Sequence, residues 1–159
     1  MRYFVSESVP RVLLVTFERD DLLLEGLTEV VRKEGIDTAA ITGGIGSLQR
    51  LNIHTFSRFG FPPEEKRLAF TGAIEIGSIQ GSVVGGEVHA HVSFFHWDSM
   101  ATWTGHLDPG SVVAYLAEIS LLVLEGVQTE RYRGADGEYG IRAAQGDPLS
   151  RLAPRTVQA

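Results

Sequence analysis

The stretch from Gly85 to Gly110, GGEVHAHVSFFHWDSMATWTGHLDPG, constrains the chain most. Val88, Ala90, Val92 and Phe94 alternate with Glu87, His89, His91 and Ser93. Side chains two apart on a strand share a face, so this alternation predicts a half-buried strand. The apolar set faces a core, and His89 and His91 stand side by side on the opposite face. A turn near Asp98 and Ser99 leads into a second strand-like run, Met100 to Thr104, followed by Gly105-His106-Leu107. A hairpin there returns His106 toward the first two histidines. Three imidazoles converging from adjacent strands is an arrangement used to bind zinc.

The rest of the chain supports a β-rich reading. Arg11 to Phe17 (RVLLVTF) is a short, β-branched run that predicts a central strand. Asp20 is a candidate helix N-cap. Leu23, Leu27, Val30 and Val31 then recur at helical spacing until Gly35 stops the pattern. Strands are expected at Thr38 to Thr42, from Leu48 to about Ser57, and from Leu68 to Val84. Gly43-Gly44-Ile45-Gly46 between the first two predicts a tight turn. The cluster does not make a dinucleotide-binding loop, because Gln49 stands where the third glycine belongs. Phe59 to Lys66, with two prolines and three charges, is expected to be a loop. Ser111 to Leu124 is the longest apolar segment, and its period fits a strand while leaving a helix open. Glu118 in its middle needs a partner if buried, because an unpaired buried charge is costly. Trp97 and Trp103 are expected in the core or at a subunit interface. Gly134, Asp136, Gly137 and Gly140 mark a loop or small hairpin.

With 159 residues, one domain is expected, here residues 1–144 followed by a C-terminal tail at 145–159. The absence of cysteine excludes disulfides and thiolate ligation, so any metal must be held by histidine, carboxylate or water. A net charge of −6 argues against a high-affinity phosphate-binding surface while leaving room for a local basic patch. No apolar run reaches the roughly 18 residues of a membrane span. A soluble, cytoplasmic protein is the expectation.

Several segments together resemble the PPC domain, a family found in plants and prokaryotes. They are GGIGSLQRLNI (Gly43 to Ile53), AIEIGSIQGSVV (Ala73 to Val84), HAHVSF (His89 to Phe94), GHLDPG (Gly105 to Gly110) and the following strand with Glu118. The resemblance spans about Arg11 to Glu125 and implies an α+β fold: a mainly antiparallel sheet with one packed helix, assembled as a homotrimer. Plant members carry AT-hook DNA-binding motifs outside the domain, and many prokaryotic members bear a DNA-binding label. This sequence has no Arg-Gly-Arg-Pro-type core and no basic tail at either end, so direct DNA binding by the chain is not expected. The implied fold is also similar to that of acetolactate decarboxylase, a zinc enzyme with a strand-borne His-x-His pair and a later histidine. That analogy places zinc on His89, His91 and His106. Independently of it, Tyr115 and Glu118 are candidates to reach the site as proton donor or base. His96 has the wrong parity to join the set and His54 lies on a different strand, so both are read as structural or exposed. Three functions fit: a trimeric zinc-binding module for a small-molecule ligand, a zinc-dependent lyase or hydrolase, and a DNA-associated regulatory protein.

Overall fold

The structure is a computed structural model and describes residues 2–3, 9–135, 137, 139–144 and 155–156. Its elements are β1 (Arg2–Tyr3), β2 (Arg11–Glu18), α1 (Leu23–Lys33), β3 (Ala39–Arg58), β4 (Glu64–Val84), β5 (Glu87–His96), β6 (Ala101–Leu107), β7 (Val112–Val123), β8 (Thr129–Arg133), β9 (Tyr139–Ala143) and β10 (Arg155–Thr156). This is a mainly antiparallel sheet with one short helix, as the resemblance implied. The tail expected at 145–159 lies outside the described residues, apart from Arg155–Thr156, which pairs with Arg2–Tyr3. Among the described residues no helix is long and apolar enough to cross a membrane.

The main sheet has the order β2-β7-β3-β4-β5-β6, with every pair antiparallel. β6 also pairs with the far half of β3, Ile53 opposite Leu107 and His54 opposite His106. The cycle β3-β4-β5-β6-β3 therefore closes on itself, which removes the open edge that β6 would otherwise present. β3 and β4, at 20 and 21 residues, are long enough to serve both this closed part and the open sheet toward β2. Phe94, Leu51, Ile53, Ile74, Ile76 and Ile79 are buried on the inner face, and Leu48, Ile119 and Leu121 extend the same core under β7 and β3. Leu23, Leu27 and Val31 form a fully buried stripe at i, i+4 and i+8, so α1 lies on this core along one face.

The helix begins later than Asp20. Its N-cap is Leu22, in extended conformation and without a side-chain cap. Asp20 instead adopts φ 71° and donates its backbone N–H to the Val113 carbonyl at 3.0 Å. The Asp21 carboxylate accepts the Glu18 N–H at 2.8 Å and so closes the strand-to-helix turn. Gly35 does end the helix. At φ 61° it donates to the Arg32 carbonyl while Ile36 donates to that of Val31, the paired bonds of a Schellman motif.

The glycine cluster is the larger correction. Gly43 to Gly46 do not turn the chain but lie inside the continuous β3, where the register against β7 shifts between Ile41 and Gly43 and again between Gly46 and Leu48. At Gly46, φ is 153° and a Cβ would fall 2.6 Å from Ala117 Cα. The glycines thus let two backbones approach at a bulged pairing, a need that resembles a turn signal in sequence. The loop expected over Phe59 to Lys66 is shorter, since β3 runs to Arg58 and β4 starts at Glu64. β7 is a strand throughout, which resolves the ambiguous period of 111–124.

Candidate metal centre

The β5–β6 hairpin forms as the alternation predicts. Ala90, Val92 and Phe94 are buried, while His89 and His91 point to the other face. The register places His91 directly opposite His106. On β6, Gly105 and Leu107 face inward, so His106 turns outward and meets the His89/His91 face. One ring nitrogen from each of His89, His91 and His106 lies within 4.8 Å of the other two. His89 Nε2 and His106 Nδ1 are 2.9 Å apart, a hydrogen bond in which one neutral ring donates to the other. The His91 and His106 ring centroids are separated by 4.1 Å.

Burial and charge lower the pKa of two of these rings. His106 is half-buried, and desolvation, helped by His91, His54 and His89, lowers its pKa to about 4. Asp108 pulls the other way, and more weakly. The pKa of His89 is also lowered, first by burial and then by the charge of Arg131. Neutral imidazole is the form that binds a metal ion, so the same surroundings that disfavour the proton leave the lone pairs available.

A fourth histidine belongs to the neighbourhood, and the strand count hid it. His54 sits opposite His106 across the β3–β6 closure, and its ring stacks on that of His106 with centroids 4.4 Å apart. Its Nδ1 is 2.7 Å from Asp108 Oδ1, and Arg67 Nη1 holds the other carboxylate oxygen at 3.2 Å. The GHLD segment carried the signal, since His106 and Asp108 share parity on one stretch, but no local pattern names the partner strand. His96 is structural as read: it is buried, with Nδ1 3.0 Å from Ser99 Oγ and Nε2 3.1 Å from the Thr71 carbonyl.

Tyr115 and Glu118 are placed elsewhere. Both line a groove of about 730 Å³ together with Arg19, Gln49, Glu75 and Trp97, and none of the three clustered histidines lines it. The tryptophans are not in the core. Trp97, in the turn after β5, is 62% exposed, and Trp103, on β6 opposite Phe94, is 40% exposed. Trp103 leans on Phe70 and donates its Nε1–H to Ser99 Oγ at 3.3 Å.

Residues 5–125 match the Plants and Prokaryotes Conserved (PCC) domain, the family also written PPC. The chain belongs to that family. A PPC protein from Pyrococcus horikoshii is 32% identical, with a TM-score of 0.68 over 84% of this chain and 94% of that one. A protein from Archaeoglobus fulgidus described as metal-containing is 24% identical, with a TM-score of 0.72 over 86% and 95% of the two chains. A hypothetical protein from Salmonella cholerae-suis shares the PCC fold at 21% identity, with a TM-score of 0.72 over 88% and 97%. None of the curated proteins matches this chain.

Proposed function

We propose that this PCC-domain protein is a metal-binding module in which His89, His91 and His106 hold zinc or a similar divalent ion, leaving one coordination position for a small ligand. The convergence of three ring nitrogens within 4.8 Å carries the reading. Zn–N bonds of about 2.0–2.1 Å in a tetrahedral site need nitrogens roughly 3.4 Å apart, a spacing that small ring rotations reach from here. The low pKa of His106 adds the correct protonation state. The metal-containing Archaeoglobus relative supports the same direction. When bound, the ion supplies a Lewis-acid centre. Around it the chain's own groups shape the pocket: His54, fixed by Asp108, walls one side of His106. A zinc-dependent lyase or hydrolase would also need a group to move a proton, and Tyr115 and Glu118 line the separate groove. The binding reading therefore leads.

The proposal includes a homotrimer. Val12, Leu14, Ile45, Tyr115 and Leu116 are exposed on the β2, β3 and β7 strands, and a soluble domain seldom leaves so many adjacent apolar side chains in water. A second and third copy of the chain would cover them in a closed ring.

Elemental analysis of protein expressed with supplemental zinc tests the metal reading. About one zinc per chain is the expected result. Wild-type protein that retains no divalent metal overturns it.

A further inference from the structure

Arg131 differs from Arg11, Arg19, Arg58, Arg67 and Arg142, each of which holds a carboxylate. Among the described residues Arg131 pairs with none; its hydrogen bond goes to the Ser82 hydroxyl at 3.3 Å. Ser82 is the cross-strand partner of His89, so their side chains share a face and the guanidinium is brought beside the histidine cluster. The charge of Arg131 is accordingly felt at His89.

The placement is built in. Arg131 lies on β8 two residues after Thr129, and strand periodicity puts both on one side. Thr129 is buried, its Oγ1 bonded to Thr38 Oγ1 at 2.8 Å and its N–H donating to Asp37 Oδ1 at 2.8 Å. That anchor fixes the side of β8 that faces the barrel. β8 also lies beyond residues 5–125, so the family pattern does not account for Arg131. In a chain with 20 acidic and 14 basic residues, this cation beside a candidate metal site bonds a neutral hydroxyl and, among the described residues, no carboxylate.

We propose that the three-histidine site takes a small organic oxyanion, bearing a carboxylate or phosphate group that Arg131 holds while the ligand sits on the metal. Guanidinium presents paired N–H donors that match such a group in two parallel hydrogen bonds. The inference rests on the metal-binding reading and gives that site its ligand class.

Calorimetric titration of zinc-loaded wild type, Arg131→Gln and Arg131→Lys with malonate and with phosphonoacetate tests it, with zinc content and thermal midpoint measured on each form. At least one anion should bind the wild type, and the stronger of the two identifies carboxylate or phosphate as the preferred group. Arg131→Gln should weaken that binding about tenfold or more at unchanged zinc content, and Arg131→Lys should recover part of it. Equal affinity in wild type and Arg131→Gln, or no binding of either anion to zinc-loaded wild type, overturns this inference and leaves the metal reading standing. A wild type that holds no zinc overturns both.

Discussion

The imidazole of His54 lies flat on that of His106, with ring planes 8° from parallel. A stacked ring presents its face, not a lone pair, to its neighbour, so His54 supports the cluster without joining it. His91→Ala should therefore abolish stoichiometric zinc, because two histidines do not complete the site. His54→Ala should keep one zinc per chain while lowering affinity by up to about tenfold, as expected for a residue that only orients a ligand. Competition with a zinc chelator distinguishes the two, and complete metal loss in His54→Ala would contradict the assignment.

The lowered pKa values of His106 and His89 make the stability of the metal-free protein depend on pH. In the unfolded chain His106 takes up a proton near pH 6.5, whereas in the folded protein it does so only at about 4. Between these values the unfolded state binds more protons, so stability rises with pH in that window. The contribution is complete above about pH 6.5, declines as pH falls, and is gone below about 4. His89, lowered in the same direction, adds to the trend. NMR titration of the imidazole protons should find the His106 midpoint near 4, and urea unfolding at pH 7 and pH 5 should show the lower stability at pH 5. A His106 midpoint at 6.5 would refute the environment described.

Gly46 and Gly43 offer a backbone test in one strand. A Cβ at Gly46 meets Ala117 Cα and the Leu116 carbonyl at 2.6 and 2.7 Å, with φ 153°, whereas nothing lies within 4 Å of one at Gly43. Gly46→Ala should cost about 2 kcal/mol or more, and Gly43→Ala should stay within roughly 0.5 kcal/mol of wild type. Denaturant midpoints for both variants decide whether the bulged approach of β3 to β7 requires glycine.

If a second and third subunit cover the apolar strand face, light scattering should give a mass near three times the 17.4 kDa chain. Leu14→Asp combined with Ile45→Asp would place charges on that face, where both residues are more than half exposed. The double variant should run as a monomer with its secondary structure intact. A monomeric wild type at micromolar concentration removes the trimer from the proposal.

Duplex DNA should bind weakly. Non-specific affinity comes largely from cations neutralising phosphates, and this chain carries a net charge of −6. Titration of an A·T-rich duplex near physiological salt should show nothing tighter than about micromolar. A nanomolar, sequence-dependent complex would restore the regulatory reading.

What the sequence determined by itself was local. Period-two alternation put His89 and His91 on one face of β5, and the turn after Trp97 returned His106 to them, because side-chain direction on a strand follows parity and a short connection leaves few alternatives. The apolar stripe of Leu23, Leu27 and Val31 likewise located α1. Pairings between distant segments were decided only in the tertiary structure. The closure of β6 on β3 stacked His54 on His106, and β8 delivered Arg131 to Ser82 beside His89. The glycines at 43–46 read as a turn because sequence shows the need for a missing Cβ and not what approaches there; the approach of β7 made that stretch a bulged strand. Tyr115 and Glu118 went to another cavity for the same reason: parity sets the face of a strand, while which faces meet depends on how the whole sheet closes.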